Sequence, residues 1–146
     1  MILKKIIFLA VFSVLLLVAT AAAKEVELSL SSTDLVGYTN DVQSVDITIK
    51  NNQDKTDTVS LSVWPPQFAG VGATLDKYLV TVAAKSSETV KLFFGVAIDA
   101  EEVVPIFTVS AKSTTNEIFA DSQNLYLRII RKTTVYIKDV RLEKYT

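Results

Sequence analysis

Between residues 25 and 131 the chain alternates apolar and polar positions with a period of two, the mark of strands with one buried face, since successive side chains leave a pleated backbone on opposite sides. The clearest stretch runs from Tyr78 to Ile98. Tyr78, Val80 and Val82 share one phase, a polar turn follows at Ala83–Glu88, and Val90, Leu92, Phe94, Val96 and Ile98 collect on the next face. This reads as two strands joined as a hairpin. Other segments carry the same signal: Val26, Leu28 and Leu30; Val45, Ile47 and Ile49; Val59, Leu61 and Val63; Phe107, Val109 and Ala111; Leu125, Leu127 and Ile129. Polar partners between these residues predict antiparallel sheets with one solvated face.

The breaks between strands are equally informative. Thr33–Asp41, with Gly37, Asn40 and Asp41, reads as turn. Pro65 and Pro66 end the strand that reaches Trp64, because neither offers an N–H to a ladder. Gln67–Asp76 reads as a loop with a short edge strand at Ala73–Leu75, and Asp121–Ser122 as a bulge in a long final strand over 118–130. Seven or eight short strands with no helix among them predict an all-β, immunoglobulin-like antiparallel sandwich.

The opening 23 residues follow other rules. Lys4 and Lys5 precede an apolar run, Ile6–Val18, and small residues close the segment in two Ala-x-Ala patterns, Ala19-Thr20-Ala21 and Ala21-Ala22-Ala23. That is the layout of a signal peptide, with cleavage expected after Ala23. Retention as an anchor is the alternative, since the apolar stretch approaches the ~20 residues that span a bilayer. The expected domains are therefore a signal segment (1–23), an Ig-like sandwich (24–132) and a C-terminal strand or tail (133–146). In the last, Val135 and Ile137 lie in one phase and Val140 and Leu142 in the other. It is expected to pair within the domain, to donate a strand to another subunit, or to link to a further repeat.

Composition narrows the chemistry. The chain of 146 residues has no His and no Cys, with 15 basic and 16 acidic residues. Without His no unperturbed side chain titrates near neutrality, and without Cys there is no thiolate nucleophile, disulfide or thiolate zinc site. The near-neutral charge argues against a nucleic-acid surface. An exported β-domain without disulfides fits a bacterial or archaeal surface better than an animal extracellular module. Asn51, Asn52, Asp54 and Asp57 could offer oxygen ligands to Ca²⁺, but their spacing lacks the glycine and distal glutamate of an EF-hand loop, and turn formation is the expected role. Neither a carboxylate pair across a cleft nor a G-x-S-x-G turn is visible, so no enzyme activity, catalytic residue, metal or cofactor is expected.

Three segments carry a resemblance. Val45-Asp46-Ile47-Thr48-Ile49-Lys50-Asn51-Asn52, then Thr58–Val63, then Val80–Val90 resemble the Ig-like repeats of bacterial and archaeal surface proteins, among them modules beside alpha-galactosidase domains and CARDB-type adhesion repeats. Such modules often place Pro and Gly in the turn that here reads Ala83–Glu88 without either. The resemblance covers roughly 25–131 and implies a structural or adhesive surface role, with a protein partner, a second copy or a glycan as ligand. An accessory carbohydrate-binding module and a strand-donating filament subunit are the alternatives.

The residues singled out for contact are aromatic. Trp64, Phe93 and Tyr126 fall in the outward phase of their strands, and Tyr and Trp are enriched where proteins meet partners.

Overall fold

The computed structural model describes residues 24–132; the expected signal segment and the segment 133–146 lie outside the described residues. Ten strands make two five-stranded sheets, and no helix occurs among the described residues. The strands are β1 (Val26–Leu30), β2 (Asp34–Tyr38), β3 (Asp41–Asn51), β4 (Asp57–Trp64), β5 (Gln67–Phe68), β6 (Val71–Leu75), β7 (Leu79–Val82), β8 (Ser87–Val96), β9 (Ile106–Ser113) and β10 (Ala120–Ile130). Sheet A has the order β1-β3-β8-β6-β5 and sheet B the order β2-β10-β9-β4-β7. The expected all-β Ig-like sandwich is the fold observed, with ten strands in place of seven or eight.

The core is the sum of the inward phases. Leu28, Ile47, Ile49, Leu92 and Phe94 of sheet A meet Val59, Phe107, Leu125 and Leu127 of sheet B, all fully buried. Phe94 and Phe107 join the two layers directly, with ring centroids 4.9 Å apart and planes tilted by 53°. A tilted pair sets ring edge against ring face, worth about 0.5–1.5 kcal/mol beyond the area it buries.

The stretch from Tyr78 to Ile98 differs from the expected hairpin. β7 pairs with β4 in sheet B, whereas β8 pairs with β3 and β6 in sheet A, so the turn between them crosses from one layer to the other. An in-sheet hairpin and a crossing both point alternate side chains at the core, and periodicity cannot tell them apart. Tyr78 and Ile98 lie outside the strands, and Ile98, expected inside, is 75% exposed. Lys85 occupies a left-handed position (φ 53°) in the crossing turn, where glycine would be the easier residue.

The segment read as turn at Thr33–Asp41 is mostly strand. The chain leaves β1 and sheet A after Leu30, crosses in three small polar residues, and adds β2 to sheet B parallel to β10, with Asp34 opposite Tyr126 and Tyr38 opposite Ile130. Gly37 belongs to this strand: a Cβ there would sit 3.1 Å from both Leu127 and Val96 side chains. Its glycine thus serves close packing. The turn proper is Thr39–Asn40, where Asn40 takes a left-handed φ of 61°, a conformation its short polar side chain tolerates.

The expected bulge at Asp121–Ser122 is absent, since β10 pairs with β9 residue for residue from Ala120 to Tyr126. Asp121 and Gln123 keep the inward phase for a different reason. Asp121 Oδ2 accepts from Leu28 N at 3.0 Å, and Gln123 Nε2 donates to Leu28 O at 2.8 Å. Two side chains of sheet B thereby satisfy the outer backbone of β1, the edge strand of sheet A. Around Gln67–Asp76 the chain makes β5 and β6 rather than one short strand, and Gly70 (φ 80°) is required there because a Cβ would lie 2.8 Å from the Ala100 backbone.

Truncating Phe94 to Ala removes the aromatic link and leaves a cavity at the centre of the sandwich. The expected loss is about 3–5 kcal/mol, read as a lower urea midpoint with an unchanged slope.

Candidate binding face

The outer face of sheet B is built from alternate residues of β4, β9, β10 and β2. Trp64 closes β4 and lies opposite Thr108, which in turn lies opposite Asn124; Thr108 Oγ1 donates to Asn124 Oδ1 at 3.0 Å. In the next row Ile106, Tyr126 and Asp34 stand side by side. One row further, Val36 flanks Arg128, and beyond that Tyr38 flanks Ile130. Backbone bonds from Leu127 N to Pro105 O and from Ile129 N to Val103 O carry the 103–105 segment alongside β10, which sets Val104 beside Arg128.

These rows leave Trp64, Ile106, Tyr126, Val104, Val36, Tyr38 and Ile130 exposed on one half of one face. Trp64 shows 74% of its surface and Tyr126 40%. A groove of ≈ 200 Å³ lies between Val36 and Val104, with Tyr126 and Arg128 among its lining residues. Neighbouring exposed apolar side chains of this number are unusual on a monomeric surface and mark contact sites.

The three aromatics singled out from sequence divide between the sheets. Trp64 and Tyr126 share the face just described. Phe93 belongs to β8, at the middle of sheet A, and its side chain emerges on the opposite side of the sandwich. It is 36% exposed, between Ser44 and Thr74 on the neighbouring strands. A single patch of all three is therefore not formed. The other members of the face escaped the sequence reading for two reasons. Val36 and Tyr38 were hidden in a stretch read as turn. Ile106, Val104 and Ile130 stand at strand ends, where the alternation is too short to assign a side. The available signal was the outward phase of β10, where Tyr126 and Ile130 break an otherwise polar series.

At the opposite pole, the side chains weighed as calcium ligands have other work. Asn51 Nδ2 donates to the carbonyls of Lys55, Val82 and Ala83 at 2.8, 3.1 and 3.2 Å, and Asn51 Oδ1 accepts from Gln53 N. Gln53 Nε2 and Thr115 Oγ1 each donate to the Asp57 carboxylate at 2.8 Å. Asn51, Gln53, Asp57 and Ser113 are all buried. Burial pushes the Asp57 carboxyl upward, but hydrogen bonds from Ser113, Thr115, Gln53 and Thr58 outweigh it and hold the group below its ordinary value. Asp121 behaves alike: burial raises it, while Lys24 and the Leu28 and Ser122 amides outweigh this and hold it below its ordinary value. A broad polar depression of ≈ 510 Å³ opens here, and Lys85 on its rim bonds to the Asn52 carbonyl and pairs with Asp54 at 3.0 Å. Among the described residues no group of three or more His, Cys, Asp or Glu is arranged to hold a metal ion.

Comparison with known proteins defines the class and stops there. No family model and no curated protein matches the sequence. Among solved structures, the chain is similar to a family 123 glycoside hydrolase from Clostridium perfringens (TM-score 0.58, 7% identity, covering 73% of this chain and 27% of that one). It is also similar to a PapD-like domain of human CEP192 (0.52, 8%, covering 75% and 88%) and to the CupB2 chaperone of Pseudomonas aeruginosa (0.50, 8%, covering 69% and 55%). The chain thus spans about a quarter of the first of these proteins. At such identities the likeness is one of fold alone, an Ig-like β-sandwich.

The two lowered carboxyls define an acid response. Both bind protons less readily folded than unfolded, so the stability they contribute is complete above the unfolded carboxylate value of about 3.9 and is lost as pH falls through their folded values. Urea midpoints should stay level near neutrality and fall below about pH 4. Asp57→Asn should lower the midpoint at pH 7 and flatten the acid-side decline.

Proposed function

We propose that this chain is an exported, non-enzymatic Ig-like module of a prokaryotic cell surface, which binds a protein partner or a second copy of itself through the outer face of sheet B. The observation that carries the reading is the row-by-row apolar surface from Trp64 to Tyr38. Among the described residues nothing covers this face, and the core is complete without it. Export is supported by Lys4 and Lys5, the apolar run Ile6–Val18 and the small residues up to Ala23. A binding role is supported by what the chain lacks, since without His or Cys the usual nucleophile and general-base pairings are missing.

Ile106 and Tyr126 stand at the centre of the face, where hot-spot residues concentrate. The double variant Ile106→Asp/Tyr126→Asp should weaken self-association, or retention on the parent cell surface, by roughly 30-fold or more, equivalent to about 2 kcal/mol, with an unchanged far-UV spectrum. A wild-type chain that stays monomeric at high concentration, and whose surface retention is untouched by the double variant, would sink the proposal.

A second reading rests on Trp64. Trp64 pairs with Thr108, whose hydroxyl bonds the Asn124 amide on the next strand, and a ring face with hydrogen-bonding groups along the same row suits a sugar. Here Trp64 fluorescence should shift on titration with cell-wall polysaccharide, and Trp64→Ala should abolish retention. A flat titration across a glycan panel would remove this reading.

A further inference from the structure

The groove on the outer face of sheet B carries one charge of each sign. Arg128 and Asp34 both line it, both are exposed, and neither has an ion-pair partner among the described residues. The Asp34 carboxylate accepts one local bond, from the Thr33 hydroxyl at 3.0 Å. Val36, Val104 and Tyr126 stand around the two charges. Arg and Tyr are enriched where proteins meet, whereas Asp is depleted there, and a charge enclosed by a contact needs an opposite charge beside it. We infer that this face packs against the same face of a second copy, as a two-fold dimer in which Arg128 of each chain pairs with Asp34 of the partner subunit. The inference rests on the binding face proposed above and names its occupant.

The register of β2 on β10 makes this pattern self-complementary. Asp34 lies opposite Tyr126 and Val36 opposite Arg128, so the four residues form a square with the two charges on one diagonal. The charges are about 8 Å apart along the sheet, one strand spacing of ~4.8 Å by two residues of ~3.3 Å. In a two-fold contact, residue i meets residue j of the other copy and j meets i. An axis lying in the face, through the middle of the square and across the charged diagonal, sets each charge over its opposite in the second chain. Two reciprocal ion pairs then form from one positive and one negative residue per chain. Tyr126 and Val36, on the other diagonal, lie close to this axis and pack against their own copies. Their burial excludes water from both pairs, which is where charge pairs contribute most. The axis runs obliquely to the strands and turns the second sheet steeply across the first, toward the orthogonal class of sheet packing.

Charge reversal tests the pairing. In the chain from Lys24 to Thr146, sedimentation should show a concentration-dependent dimer. Arg128→Asp and Asp34→Arg should each raise its dissociation constant by roughly 100-fold or more, since each sets like charges together twice per dimer. Their far-UV spectra should match the wild type. Mixed in equal amounts, the two variants should recover a dimer with one chain of each, because every contact then joins opposite charges again. Variants that dimerise as the wild type does overturn the inference. So do variants that stay apart when mixed, a result that assigns Arg128 and Asp34 to a pair within one chain. Failure here is separable from failure of the binding face. A dimer lost in Ile106→Asp/Tyr126→Asp but untouched by charge reversal rejects this pairing and leaves the face in use. A monomeric wild type whose surface retention still falls in that double variant rejects the dimer and gives the face to another protein.

Discussion

The sandwich depends on a side-chain amide at one pole. Asn51 ends β3 in sheet A, yet its Nδ2 group binds carbonyls of Val82 and Ala83 at the end of β7 in sheet B, and of Lys55 in the loop leading to β4. It sits where the chain passes from one sheet to the other, and it is fully buried. A crossing of layers leaves backbone carbonyls that no ladder reaches, and a buried unpaired carbonyl costs about 1–3 kcal/mol. The two N–H groups of one amide here serve Lys55 and Val82 and share the Ala83 carbonyl with Ser86. Gln53, Asp57, Ser113 and Thr115 extend the arrangement across the pole, and no buried side-chain polar atom among the described residues is left without a partner.

The same solution recurs at the edge of sheet A. Asp121 and Gln123 occupy core-facing positions of β10 and spend their polar groups on the backbone of Leu28 in β1. This blunts an edge that would otherwise offer a template to another chain. The two faces of the sandwich also differ. Around Phe93 the outside of sheet A holds Ser44, Thr74 and Lys91, whose Nζ bonds Asp46, with Val42 as its other exposed apolar neighbour. Exposed apolar residues are more numerous on the outside of sheet B, from Trp64 across to Tyr38, and that contrast supports the proposed role of this face.

How much of this could be read from sequence follows from what periodicity measures. Alternation reports which side of a strand is wet, so the inward sets Val45-Ile47-Ile49, Phe107-Val109-Ala111 and Leu125-Leu127-Ile129 were legible, and with them the fold class. It does not report the strand's neighbour, so the Tyr78–Ile98 pair passed for a hairpin when it is a crossing. Nor does it see a strand whose composition mimics a turn: Gly37, Asn40 and Asp41 concealed β2. Polar residues in a buried phase read as a bulge because their partner, the Leu28 backbone, is distant in sequence. The candidate face was legible only in part. Trp64 and Tyr126 announced themselves by phase. Phe93 shared that phase but belongs to the opposite surface, and Val36 and Tyr38 joined the face through a strand the sequence hid.

The parallel pairing of β2 with β10 has a mechanical meaning. Lys24 enters at the pole that holds Asn51, anchored through Asp121 and through its carbonyl to Asn52, while Ile130 and Lys132 leave at the other. Traction applied between these two points runs along the strands. It loads the five residue pairs from Asp34–Tyr126 to Tyr38–Ile130 lengthwise, so their backbone bonds must yield together instead of peeling one at a time. Resistance to such a pull is set by the barrier to unfolding and not by equilibrium stability. The strand that sequence reading overlooked therefore sets a pull between the two ends against five residue pairs in shear.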